Sequence, residues 1–304
     1  MSFERIGILS IGEMGYHWAR VLGAHGVKVY SFLEGRSAAT RERARSMGVE
    51  LAPSLDNLVS RVDLIVSIVV PSAAKEVAEG VARALAKSGR TGLLYMDANA
   101  VSPMTAETLG RTLTQAQAHY VDGCIIGGAA KLDRGTVVYV SGPEAIRLSA
   151  LNDSGLRVKV LGPSATQASA FKIIHAGLSK GLAGLFIELL VGANALGLLR
   201  ETLEDYDENH PGLLQKITGS ITSLPVHAKR RSEEMIELRE TFAHYGIDPV
   251  VVPSVEKILC SIAELNIGEP RARGENLVDT IKLFSERGLL RAEISADKRG
   301  NKPE

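Results

Sequence analysis

The sequence predicts an α/β protein in which an N-terminal doubly wound sheet is followed by an all-α C-terminal domain. Three observations predict it. Short apolar, β-branched runs alternate with helical patterns through the first half of the chain, and such alternation implies a mostly parallel sheet covered on both faces. After Ala165 the strand pattern stops and helical periodicity takes over. At the very start an apolar strand, a glycine turn and a helix follow one another without a break.

In chain order, Arg5–Leu9 reads as the first strand and Glu13–His25 as the first helix, joined by Ser10-Ile11-Gly12-Glu13-Met14-Gly15. A helix start offers unpaired N–H groups and a partial positive charge, so this turn is a diphosphate cradle. Gly12 lets the backbone approach a pyrophosphate and Gly15 lets the helix pack close to the strand. Ser10 stands where G-x-G-x-x-G has its first glycine, so the dinucleotide fingerprint is imperfect.

Lys28–Phe32 is the next strand, and Phe32-Leu33-Glu34-Gly35-Arg36-Ser37 follows it. A site for NADP places Arg and hydroxyl groups here for the 2′-phosphate, whereas a site for NAD places an acid for the ribose. Arg36 and Ser37 favour the phosphate, Glu34 keeps NAD open, and Ser37 also reads as a helix cap. Helical patterns at Ala38–Met47, Ala73–Ala86 and Met104–Gln117 alternate with strands at Leu64–Val70, Gly92–Asp97 and His119–Cys124; strands at Thr136–Ser141 and Val158–Leu161 follow. The unit is Rossmann-type, and ligands of such sheets bind at the carboxyl ends of the strands.

Gly162-Pro163-Ser164 is a turn that ends in an N-cap residue, which divides the chain into residues 1–163, with the dinucleotide fingerprint, and an all-helical 164–304; the resemblance drawn below implies substrate binding and dimerisation for the latter. Helical segments are expected near Ala165–Leu199, Arg230–Tyr245, Pro253–Leu265 and Asn276–Glu286, and the polar tail from Ala292 is expected to fray. Gly181–Leu199 is apolar and long enough to span a bilayer. It nevertheless holds Glu188 and Asn194 and lacks an aromatic belt, so a buried core or dimer interface is favoured. Gly177, Gly181 and Gly184 crowd the same helix, which suggests close approach of another backbone.

Lys+Arg and Asp+Glu both total 35, so charge supplies no argument for nucleic acid or an acidic membrane. Cys124 and Cys260 are far apart and form no metal-ligand cluster, so no metal is expected; they suit a reducing compartment. No basic segment precedes an apolar one at the start, so a cytoplasmic protein without a signal peptide is expected.

Lys172 lies in a long helical pattern, on one face with Ser169 and His175, among largely apolar neighbours. Such a lysine either snorkels to solvent or, partly desolvated, serves as a general acid or base. His175 reads equally as a hydrogen-bonded structural histidine or a proton relay. His119 and His244 read as structural or exposed. Lys229-Arg230-Arg231 with Glu233-Glu234 reads as a solvated face with i,i+3 and i,i+4 pairs, an anionic-substrate contact being the alternative.

Taken together, the chain resembles the β-hydroxyacid dehydrogenase superfamily, which includes 3-hydroxyisobutyrate and 6-phosphogluconate dehydrogenases. Gly7-Ile-Leu-Ser-Ile-Gly12-Glu-Met14-Gly15 is similar to the family's cofactor motif. Asp97-Ala-Asn99-Ala-Val-Ser102-Pro103 is similar to the segment bordering the nicotinamide. Val121-Asp122-Gly123-Cys124-Ile125-Ile126-Gly127-Gly128 is similar to the substrate loop, and Gly162 through Lys172 to the segment bearing the catalytic lysine. Pro71 matches a family proline.

The resemblance implies that Ser10, Ile11, Gly12, Glu13, Met14, Gly15, Pro71 and Asn99 hold the cofactor, with Arg36 and Ser37 making it NADP and NAD as the alternative. It implies Lys172 and His175 as catalytic residues, and Ile126, Gly127, Gly128, Lys172 and Ala176 around a small-molecule substrate. It also implies a homodimer through the helical domain. Ile126 and Ala176 replace the family's serine and asparagine anchors, which makes the pocket more apolar. The reading is hydride transfer between a nicotinamide and a hydroxyl/carbonyl substrate. Imine reduction, or dinucleotide binding without catalysis, are the alternatives.

Overall fold

The computed structural model describes residues 3–267 and 276–291; the expected fraying tail from Ala292 lies outside the described residues. The chain divides into two compact units, Met1–Ile173 and Ile174–Glu304. The division falls inside helix α6 rather than at the Gly162-Pro163-Ser164 turn, because the first turn of that helix is hydrogen-bonded to the sheet of the first unit.

In the first unit β1 (Arg5–Leu9), α1 (Glu13–Ala24), β2 (Lys28–Ser31), α2 (Ala38–Ser46), β3 (Glu50–Leu51), α3 (Leu55–Arg61) and β4 (Leu64–Ser67) form one half of the sheet with its helices. There follow α4 (Ala74–Ser88), β5 (Leu94–Asp97), α5 (Pro103–Gln115), β6 (His119–Ile126), β7 (Val137–Ser141), β8 (Val158–Gly162) and α6 (Gln167–Ala195). The strands make an 8-stranded sheet in the order β3-β2-β1-β4-β5-β6-β7-β8, with the reversal of strand order at β1 and β4. Pairing is parallel except between β6 and β7. The β6–β7 connection is too short for a crossover helix, so its strands can only run antiparallel.

The sequence reading placed the main strands but not β3 or α3. β3 is two exposed residues and α3 is 7 residues long, too short to show a period. Both sheet faces are apolar. Ile6, Ile8, Leu64, Val66, Leu94, Met96 and Val121 pack on the face that holds Trp18 of α1, while Ile65, Tyr95 and Tyr120 pack on the opposite face. Alternation with both sets buried is the pattern of a sheet covered on two sides.

The second unit holds the rest of α6 together with α7 (Leu199–Asn209), α8 (Leu213–Thr222), α9 (Leu224–His244), α10 (Val251–Glu264) and α11 (Leu277–Glu286). The reading that ran one helix to Leu199 is corrected: Gly197, at φ +73°, breaks the helix in the left-handed conformation that ends many helices. The glycines of α6 do admit close neighbours, but these are side chains rather than a backbone. A Cβ on Gly177 would meet Leu238 Cδ2 at 2.5 Å, one on Gly184 would meet Val255 Cγ1 at 3.0 Å, and one on Gly181 would meet nothing. α6 is long and apolar enough to cross a membrane, and 39% of its most apolar window is buried. On α9, Arg230 pairs with Glu234 as the charge pattern predicted. Arg231 instead turns inward, its guanidinium donating to Ser220 O at 2.7 Å and Ser223 Oγ at 2.9 Å.

Candidate active site

The glycine turn sits where β1 ends at the carboxyl edge of the sheet. Gly12 is the N-cap of α1 and carries no side chain to occupy the first-turn N–H groups. A Cβ on Gly12 would meet nothing, whereas one on Gly15 would meet Ser10 O at 2.0 Å. Gly15 is therefore required by the close approach of helix to turn, and Gly12 leaves open the space an anion needs. Ile11 is fully buried in the core and Met14 packs against it, so the turn is held by its own side chains. Arg43 of α2 adds a tie, its Nε donating to Ile11 O at 3.1 Å. The sequence reading missed Arg43; its only signal was a place on the arginine-rich helix after β2.

Beside the turn lies a cleft of about 360 Å³ lined by Ser10, Phe32, Glu34, Gly35, Arg36 and Arg83, among others. It can take the adenosine end of a dinucleotide. Both Glu34 and Arg36 line it, so the cleft accommodates either ribose chemistry. Ser37 is the N-cap of α2, accepting from Thr40 N at 3.3 Å, and its hydroxyl also meets Thr40 Oγ1 at 3.1 Å. Pro71 begins a short 3-10 turn beyond β4. These residues fit a nicotinamide dinucleotide: a helix start without a side-chain cap, and a cleft beside it.

Across the ends of β4, β5 and β6 runs a buried polar seam. Asn99 Nδ2 donates to Ser67 Oγ at 3.1 Å and to Asp97 Oδ2 at 2.8 Å, and its Oδ1 accepts from Val69 N at 2.6 Å. Its amide therefore braces the loops after β4 and β5 against each other. Asp97 is buried beside Asp122 of β6, its partner in the strand register.

The loop expected to meet the substrate follows β6. Gly127 has φ +132°, and a Cβ there would meet Thr136 Oγ1 at 2.3 Å; this position demands glycine on two counts. Thr136 Oγ1 donates to Gly128 O at 2.7 Å and pins the loop. Ile126 is half-buried while Gly127 and Gly128 are exposed. Lys172 reaches this point from α6, its Nζ donating to Ile125 O at 2.7 Å. The lysine and the Ile126–Gly128 loop are thus brought together within the first unit. His175 and Ala176 follow on the same helix, inside the second unit. Cys124 is buried, and burial pushes its thiol up to about 12.

The Asp97 carboxyl is pushed up to about 7, chiefly by burial, with Asn99 opposing and Asp122 adding to the shift. Folding favours its protonated form, so its contribution to stability is full below the unfolded value of about 4 and is lost as pH rises through about 7. Asp97→Asn removes the titration. Denaturant melts between about pH 4 and 8 should show wild type losing stability relative to Asp97→Asn as pH rises. A difference independent of pH would remove the assignment.

A family model described as the NAD binding domain of 6-phosphogluconate dehydrogenase matches residues 5–152. A domain of unknown function, DUF1932, matches residues 193–262. An uncharacterized 28.5 kDa protein of Methanothermus fervidus is 28% identical over 262 residues, 86% of this chain and 99% of that one. L-threonate dehydrogenase of Cupriavidus necator is 32% identical over 199 residues, 64% of this chain and 65% of that enzyme. A solved conserved protein of unknown function, described by its structural similarity with 3-hydroxyacid dehydrogenases, superposes with a TM-score of 0.72 at 30% identity, covering 87% of this chain and 100% of its own. The matches account for the nicotinamide cofactor, for the doubly wound sheet and for the separate helical region. With the glycine turn, the pinned Gly127-Gly128 loop and Lys172 beside it, they establish that the chain belongs to the β-hydroxyacid dehydrogenase superfamily.

Proposed function

We propose that the protein is an NADP-preferring oxidoreductase that moves a hydride between a nicotinamide and a hydroxyl/carbonyl carbon, with Lys172 as general acid/base. The observation that carries this reading is the Lys172 ammonium, hydrogen-bonded to Ile125 O at 2.7 Å beside the Ile126–Gly128 loop. A substrate oxygen at that loop lies within reach of the ammonium. Lys172 gives that oxygen its proton when a carbonyl is reduced and takes it back when an alcohol is oxidised. The backbone N–H groups of Gly127 and Gly128 orient the polar end of the substrate, and His175, one turn on, relays the proton. Residues Ser10–Gly15, Pro71 and Asn99 hold or brace the dinucleotide; its nicotinamide supplies or accepts the hydride.

NADP is favoured by charge. Arg36, Arg41 and Arg45 surround a hollow of about 610 Å³ with Glu42, and Ser37 adds a hydroxyl. Guanidinium groups suit a phosphate, with two parallel hydrogen bonds each. Ile126 makes the loop after β6 less polar than one built for a small hydroxyacid, which favours a bulkier ketone or aldehyde; cyclic imines are the runner-up substrates. We also propose a cytoplasmic homodimer. Cys124 and Cys260 are free thiols, as a reducing compartment requires. Ile174, Leu178, Leu185 and Leu189 are exposed apolar residues along α6, the kind of face that a partner chain covers.

Lys172→Ala should lower NADPH-dependent turnover of a carbonyl panel by at least about 10²-fold with cofactor affinity nearly unchanged; unchanged turnover would sink the assignment. Arg36→Ala should weaken NADP far more than NAD in a fluorescence titration, and equal losses refute the 2′-phosphate contact. Light scattering on a sizing column should give twice the chain mass, and a clean monomer at micromolar concentration overturns the dimer.

A further inference from the structure

Asp122 is a buried carboxylate with a structural assignment that the motif alone does not suggest. It is fully buried on β6. Burial of a carboxylate is costly unless hydrogen bonds compensate, and here Oδ2 accepts from Ser169 N at 2.8 Å while Oδ1 accepts from Ser169 Oγ at 2.6 Å. Ser141 Oγ of β7 lies 3.4 Å from Asp122 Oδ2 and accepts from Ala168 N at 2.9 Å. The first-turn amides of α6 are therefore capped by side chains of the sheet. Ser164, the cap residue expected from sequence, precedes the helix, and its Oγ meets Thr166 Oγ1 at 3.3 Å.

Ser169 and Lys172 stand three residues apart on one face of α6, and Asp122 and Ile125 stand three apart on β6. The first member of each pair is bonded to the other, Ser169 to Asp122, and so is the second, Lys172 to Ile125. The helix is thus fastened to the strand at two points, one of them the ammonium itself. From this geometry we infer that Asp122 is a positioning residue for Lys172: by capping the first turn of α6, it sets the rotation and height of the helix and so fixes where the ammonium stands at the substrate loop. Ser169 and Ser141 complete the clamp. The inference deepens the acid/base reading of Lys172 and rests on it for its catalytic consequence, but the fastening is measurable without turnover.

The test is amine labelling of the full chain. Wild type, Asp122→Asn and Ser169→Ala are reductively methylated with formaldehyde and a borane reductant across a pH series. Each lysine is followed by mass spectrometry, with Lys159 and Lys131 as internal references. Asparagine keeps the size of the side chain but presents an N–H where the clamp needs a second acceptor; Ser169→Ala removes only the hydroxyl bond. In wild type Lys172 should label more slowly than Lys159.

In Asp122→Asn the Lys172 rate should rise about tenfold, the factor that ~1.4 kcal/mol represents, within the range of one typical net hydrogen bond. The reference lysines should not change, and Ser169→Ala should fall between. A folded Asp122→Asn with unchanged Lys172 labelling overturns the inference; if that variant does not fold, unchanged labelling in Ser169→Ala overturns it instead. Where a carbonyl assay responds, Asp122→Asn should lower kcat with KM for NADPH unchanged. If Lys172 labelling shifts but Lys172→Ala leaves turnover intact, the positioning stands and the acid/base reading falls.

Discussion

Every helix begins with backbone N–H groups that need an acceptor, and the first unit meets that need in opposite ways at α1 and α6. At α1 the cap position is Gly12, which brings no side-chain acceptor, so the partial positive charge of the helix faces open space at the sheet's carboxyl edge. At α6 the amides of Ala168 and Ser169 are already taken by Ser141 and Asp122. One helix start is left without a side-chain cap and the other is tied to the protein, though both rest on the same backbone chemistry.

The buried polar groups between these two ends form a connected set rather than isolated contacts. Asn99 joins the loop after β4 to Asp97, Asp97 lies in register with Asp122, and Asp122 reaches α6. Burial raises both carboxyls, Asp97 to about 7 and Asp122 to about 6. Groups with such values cost least when every hydrogen bond is made, so a polar seam of this kind holds the strand ends in one arrangement. Thr136 and Arg43 do the same for the two loops that border the seam, each through one bond to a backbone carbonyl.

The second unit is organised by packing. Gly177 and Gly184 receive Leu238 and Val255, so α6 closes on α9 and α10 through side chains set into glycine notches. Lys180 pairs with Glu234 across α6 and α9, and Arg239 Nε binds Glu256 at 2.8 Å between α9 and α10. These contacts use one side of α6 and leave Leu178, Leu185 and Leu189 exposed.

The sequence by itself determined the alternation of strands and helices, the glycine turn, the change to an all-helical region and the family. Each of these is written in local pattern: period, β-branched runs, and motifs whose residues sit within a few positions of one another. Short elements escaped it, since β3 and α3 offer too few residues to show a period. Tertiary structure decided the rest. That Asn99 braces two loops and that Arg43 ties the glycine turn both depend on neighbours remote in the chain. Asp122 and Ser169 are 47 residues apart, and no local pattern relates them. Their meeting follows only from the crossing of α6 over the carboxyl end of β6, where a buried carboxylate and a helix start each supply what the other lacks.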